Sequence, residues 1–163
     1  MFTSPAYTLV HVVISLIGIA SGLVVVYGLL NARRLDGSTA VFLSTTIATS
    51  VTGFGFAVDQ LLPSHSVGAI SLVVLAVASS ARYGAHLAGS WRRAYVISAV
   101  IALYFNVFVL VVQLFRRVPA LTALAPTQSE PPFAITQVLV LALFIWLAVA
   151  AARGFRTAAG GIA

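Results

Sequence analysis

The chain has 163 residues, 61% of them hydrophobic and only 7% charged, with a mean hydropathy of +1.08 and a formal net charge of +6. So little polar surface cannot cover a water-soluble globule, which places the protein in a membrane. With no cysteine, disulfides, thiolate metal sites and cysteine nucleophiles are excluded. All the basic residues are arginines, mostly paired at the ends of apolar runs, a distribution that signals membrane topology and excludes a nucleic-acid-binding stripe.

Five apolar runs, at about 7–30, 39–62, 66–89, 93–115 and 133–152, are each about as long as the ~20 helical residues that cross a bilayer. Backbone polar groups in lipid are satisfied only in helices or closed barrels, and ten-residue alternating strands are missing here. The expectation is an all-α fold: a single polytopic transmembrane domain over residues 1–163, with five helices and short loops.

The first run exceeds a signal-peptide core of about 7 to 15 residues and has no basic residue before it, so it is expected to stay as a helix. His11, Ser15, Gly18 and Gly22 fall on one of its faces, including a small-xxx-small pair that lets another helix approach closely. NARRLDGS (31–38) follows as a basic turn.

The second run carries Ser44, Ala48, Thr52, Gly55 and Asp59 at spacings of four, four, three and four, a small and hydroxylated face ending in a carboxylate. Within it VTGFG (51–55) resembles the TVGYG-type selectivity filter of potassium channels, which implies a pore lined by backbone carbonyls. The order here is VTG in place of TVG, and the aspartate follows four positions after the last glycine. The whole run, 24 residues, is long enough for a full crossing, so a close-packing helix is the reading adopted. His11 and Asp59 sit at similar depth, each roughly 6 Å from the same boundary. A contact between them is expected, because an unpaired intramembrane charge costs roughly 2.5–3.5 kcal/mol at the membrane centre. His65, just past Pro63, and Gln113 on the fourth helix complete a candidate polar cluster at that surface. Its two histidines make haem or a metal ion conceivable ligands, though neither spacing is a metal motif; His11 and His65 are the weak candidates.

On the third run Ser71, Ala78, Arg82 and His86 share a face, with Arg82 about 10 Å from the helix end. Arg82 is read either as snorkelling to lipid phosphate or, with His86 and a hydroxyl from Tyr83 or Tyr95, as an anion, headgroup or quinone site. The fourth run aligns Ser98, Ala102, Asn106, Val109 and Gln113, with Asn106 near mid-membrane as interhelical glue. The connection 116–132 holds four of the six prolines, and Val118, Leu121 and Leu124 suit a short interfacial helix within it. The fifth run is nearly all apolar from Gln137 to Arg153 and is expected at the periphery or against another subunit.

Five crossings put Arg33, Arg34, Arg92, Arg93, Arg153 and Arg156 on one side and Arg116 and Arg117 on the other. The positive-inside rule then places the N-terminus outside and the C-terminus in the cytoplasm of an inner membrane. No phosphate loop, dinucleotide fingerprint, nucleophile elbow or zinc-protease motif is present, and three carboxylates are too few and too scattered for acid–base catalysis, so no enzyme is expected. Two functions follow. The first is transport or conduction of a small solute or protons past His11, Asp59, Asn106, Arg82 and His86. The second is a non-transporting accessory subunit that holds lipid, quinone or haem, or scaffolds a homo-oligomer or larger membrane complex through its small-residue faces.

Overall fold

The computed structural model describes residues 4–56 and 63–157, the side chains of 63–65 and 156–157 excepted. It is helical throughout these residues: α1 Pro5–Leu30, α2 Asp36–Gly53, α3 Pro63–Ser79, α4 Trp91–Arg117, the short α5 Pro119–Leu124 and α6 Pro131–Thr157. Four of the five long helices, α1, α3, α4 and α6, are long and apolar enough to cross a membrane. The exception is α2, in which eight of 18 residues are serine or threonine. At 1.5 Å per residue it still extends ~27 Å, close to a bilayer core.

The boundaries differ from those expected in ways the local chemistry explains. Ser4 caps α1 by accepting the Tyr7 N–H at 3.2 Å, and Pro5 at the first position has no N–H to leave unsatisfied. The second helix stops at Gly53 and ends in a turn over 54–56; the expected extension to 62 lies outside the described residues. The third does not run to Gly89. Past Ser79 it widens into a π turn over Ser80–Gly84, with the Ala85 N–H reaching back to the Ser80 carbonyl at 2.8 Å. It then ends because His86, Leu87 and Gly89 take left-handed φ of +50°, +60° and +51°. The short helix expected between the last two spans is α5, packed beneath α4 where Leu121 and Phe133 cover Val111, Phe115 and Ala125.

Successive long helices run antiparallel, so one end of the bundle gathers the start of α1, the end of α2 and α5, and the other the 31–36 and 85–90 turns. The most buried helix is α4, whose Tyr95, Val96, Ala99, Val100, Ala102 and Leu103 are at most 1% exposed. It contacts α1, α3 and α6. The main core joins these residues to Val25, Leu29, Phe42, Leu43, Leu75 and Phe144. The peripheral place expected for the last helix holds: Val138, Leu139, Ile145 and Trp146 of α6 are exposed, as suits a surface solvated by lipid.

Two glycines on α1 and α6 set how closely the helices approach. A Cβ on Gly22 would lie 2.8 Å from the Phe42 ring and 2.7 Å from Leu103, and one on Gly154 would lie 2.9 Å from the Leu30 carbonyl oxygen. Backbone cannot rotate aside as a side chain can. Gly154→Ala is therefore expected to destabilise the bundle by about 1–3 kcal/mol. Gly37→Ala, whose Cβ meets nothing within 4 Å, should be neutral or slightly stabilising. Thermal melts of both variants in one detergent check the contrast.

Candidate functional site

Polar side chains come together at three levels, and at each they meet across a helix seam. At the end formed by the start of α1 and the end of α2, the Tyr7 hydroxyl donates to the Thr52 carbonyl at 2.6 Å, and His11 Nδ1 lies 2.8 Å from Thr52 Oγ1. The single Thr52 hydroxyl hydrogen is donated to the Ala48 carbonyl at 2.6 Å, which makes the His11 Nδ1–H the donor. Phe56 stands edge-on to both rings, 5.2 Å from Tyr7 and 5.0 Å from His11. The expected partner Asp59 and the side chain of His65 lie outside the described residues. Gln113, near the C-terminal end of α4 and so at the same end of the bundle, is exposed.

Farther along the same seam the Ser15 hydroxyl, which donates to the His11 carbonyl of its own helix at 2.7 Å, lies 3.3 Å from Thr49 Oγ1. A Cβ on Gly18 would lie 3.2 and 3.3 Å from the hydroxyls of Thr46 and Thr45. The whole predicted face of α1, His11, Ser15, Gly18 and Gly22, thus rests on α2. At mid-bundle Asn106 Nδ2 donates to Thr46 Oγ1 at 3.2 Å, and Ser50 donates to Ser71 at 3.2 Å, joining α2 to α4 and to α3. The face assigned to α2 needs correction. Ser44 is exposed and bonds its own helix at the Ala40 carbonyl, 2.7 Å away, whereas the buried stripe is Thr39, Phe42, Leu43, Thr46 and Ser50. Neither pattern is visible from spacing alone, since hydroxyls occur all around this helix.

At the opposite end the π turn swings Arg82 inward. Its side chain is 4% exposed and makes an ion pair with Asp36, the first residue of α2, whose side chain is 73% exposed. The guanidinium also lies over the Tyr95 ring, 5.4 Å from its centre, and the Tyr95 hydroxyl is 3.2 Å from Thr39 Oγ1. Arg82 is therefore paired within the protein, not snorkelling. His86 is not its neighbour on a helical face: it is exposed in the left-handed turn. Asp36 is the residue the spacing analysis missed. The available signal was that the deepest arginine and this carboxylate border the same side of the membrane.

A cavity among the described residues lies elsewhere. A groove of about 530 Å³ runs between α4 and α6, with Ile97, Val100, Ile101, Leu141, Phe144, Ile145, Ala148, Val149 and Ala152 along it and Tyr104 beside Phe144. Ala148 and Ala152, one turn apart on α6, withdraw side-chain volume opposite the branched residues of α4. Arg93 and Arg153 stand together at one end.

No family model, curated protein or solved structure matches the chain. Function is therefore argued from these arrangements. His11, Asn106 and Arg82, expected along one path, each belong to a separate helix–helix contact. Of the two histidines considered for haem or a metal ion, His11 and His65, the second has its side chain outside the described residues. Among the described residues no three histidines, aspartates or glutamates come together.

Removing one member of the Arg82–Asp36 pair leaves the other without its charge partner, while removing both removes the penalty. Asp36→Asn is expected to lower stability by about 1–3 kcal/mol, discounted for the exposure of the carboxylate. Asp36→Asn combined with Arg82→Met should recover part of that loss. A double-mutant cycle of denaturation in detergent measures the coupling.

Proposed function

We propose that this protein is a non-enzymatic, non-conducting membrane protein that holds an amphipathic molecule of the bilayer in the groove between α4 and α6. The observation that carries this reading is the division of labour between polar and apolar positions. The hydroxyl, amide and imidazole groups of α1, α2, α3 and α4 bond one another across seams, as in helix association in lipid. The cavity, by contrast, is apolar along its length and charged at one end. Pockets of ~300–1,000 Å³ with hydrophobic walls and a few polar groups fixing orientation are the general form of small-molecule sites, and the space between bundle helices is a frequent place for them.

This favours the accessory-subunit reading over transport. A conduction path needs polar groups facing a common water-filled space, and here they face each other. The arginine-rich end, with Arg33, Arg34, Arg92, Arg93 and Arg153, is the cytoplasmic one on the positive-inside rule. Association with a larger membrane complex fits the exposed outer face of α6.

A photoactivatable fatty acid in proteoliposomes tests the reading. Crosslinks are expected at Ile97, Ile101, Ile145 and Val149, and Ala148→Phe, which fills the groove from its alanine wall, should remove most of them. Labelling spread evenly over α1, α3 and α6 and unchanged by Ala148→Phe would reject the groove. Proton flux above that of empty liposomes, lost in Asn106→Leu, would return transport.

A further inference from the structure

The Tyr104 hydroxyl stands apart from the polar seams. Ser98 and Thr136 donate to carbonyls one turn back in their own helices, at 2.7 and 2.8 Å, a solution closed to tyrosine, whose ring carries the oxygen too far from its own backbone. Tyr7 and Tyr95 meet a neighbouring helix, at the Thr52 carbonyl and at Thr39, and Tyr27 and Tyr83 are exposed near helix ends. Tyr104 has neither arrangement. It is the middle residue of α4, thirteen residues or ~20 Å from either end. Its hydroxyl has no hydrogen-bond partner among the described residues. The rings around it, Phe105, Phe108 and Phe144 at 5.7, 6.1 and 5.7 Å between centres, carry no oxygen or nitrogen in their side chains.

A hydrocarbon core holds no water to accept from such a group, and an unmet hydroxyl there is costly. Tyr104 lines the α4–α6 groove, so an occupant of the groove can bring the acceptor. Depth narrows what that occupant is. From Arg93 to Tyr104 the groove follows eleven residues of α4, ~16 Å at 1.5 Å per residue, which is close to half of a ~30 Å hydrocarbon core. A phospholipid or fatty acid held at the interface by its headgroup keeps its oxygens there and has only methylenes to present to Tyr104. Haem needs an axial ligand, and no histidine is among the lining residues. The fitting molecule is uncharged, dissolves in the hydrocarbon core, carries a carbonyl acceptor with no donor of its own to satisfy, and has a flat ring to pack against aromatic side chains. Those are the properties of a quinone.

We infer that the α4–α6 groove binds an isoprenoid quinone, one ring carbonyl accepting from the Tyr104 hydroxyl beside Phe144 and the first isoprene units lying along Ile97, Ile101 and Ile145. This rests on the groove being a binding site, as proposed above, and adds the chemical class of the ligand and the residue that selects it. The arginine end takes no part in the selection.

The test equilibrates the full-length protein, held on resin in neutral detergent, with two tritiated probes that share a tail, decyl-1,4-benzoquinone and decylbenzene, each corrected for partition into protein-free micelles. The quinone should bind roughly tenfold more tightly, the worth of one hydrogen bond made away from water. Tyr104→Phe should abolish that preference while decylbenzene binds as before, which also shows that the variant folds. Tyr27→Phe, which removes a hydroxyl outside the groove, should leave the preference intact; its loss there too would overturn the inference. Ala148→Phe should weaken both probes. Equal binding of the two probes to the wild type, still weakened by Ala148→Phe, would overturn the quinone assignment and leave the groove reading standing. Binding of both probes unaffected by Ala148→Phe would overturn the groove reading and the inference with it. A preference for the quinone that survives Tyr104→Phe would overturn the assignment of the hydroxyl. A dimer in detergent that Tyr104→Phe dissociates would give the hydroxyl an acceptor on a second copy and also overturn the inference.

Discussion

Everything in this bundle depends on how a serine- and threonine-rich helix is kept among apolar neighbours. A hydroxyl has one hydrogen to give and two lone pairs to fill, and in lipid no water supplies either. The side chains of α2 meet the first need locally: Ser44 donates to the Ala40 carbonyl at 2.7 Å, Thr45 to Val41 at 2.6 Å and Thr52 to Ala48 at 2.6 Å. Their oxygens then remain as acceptors. The neighbouring helices bring the donors, the His11 Nδ1–H of α1 to Thr52 and the Asn106 amide of α4 to Thr46. Each such bond is modest, about 0.6 kcal/mol on average in a membrane and up to roughly 2, but together they fix which faces meet.

That constraint orders the rest. Small residues at Gly18 and Gly22 let α1 close on the hydroxyl helix, and the ion pair at Asp36 ties its other end to the π turn that carries Arg82. The burial of α4 follows, because it is packed by α1, α3 and α6. What is left to α6 is an apolar surface that touches the bundle at Gly154, at Phe144 and through the Gln137 side-chain amide, which donates to the Phe108 carbonyl at 3.3 Å. The groove is the space left where Ala148 and Ala152 of α6 face α4, and chain direction brings its arginines to one end. The connecting turn before α6 is held by Glu130, which accepts from the Thr127 hydroxyl at 2.8 Å and from the N–H groups of Thr127 and Ser129 at 3.2 and 3.1 Å. Partial desolvation pushes its carboxyl up, but these hydrogen bonds, chiefly that from Thr127, outweigh it and hold the group below the usual glutamate range. The contribution of this turn is therefore complete above the unfolded-state value and fades as pH falls through the lower folded one.

The sequence made the helices legible because apolar runs of crossing length have few alternatives in a membrane, and the α1 face was legible because His11, Ser15, Gly18 and Gly22 recur at spacings of four, three and four in a mostly apolar helix. The corresponding face of α2 was not, since hydroxyls on every side erase the periodicity that spacing arguments need. Arg82 was recognised as out of place, but its partner could not be chosen without knowing that a π turn rotates it away from the line through His86 and toward Asp36. The α4–α6 groove was invisible for a different reason. It is made by missing volume at Ala148 and Ala152 and by two arginines on separate helices, and neither alanine nor a helix-end arginine carries a signal of its own.

The account turns on the polar side chains of α2 being packed dry against other helices and not facing a water-filled path. Because the natural chain contains no cysteine, single cysteines introduced at Thr46 and Ser50 can be challenged in proteoliposomes with a membrane-impermeant maleimide, with Gly37→Cys as the water-facing reference. The expected result is no labelling at Thr46→Cys or Ser50→Cys until the protein is denatured, against rapid labelling at Gly37→Cys. Labelling of both buried positions at the rate of Gly37→Cys would mean that water reaches the centre of the bundle and would contradict the account.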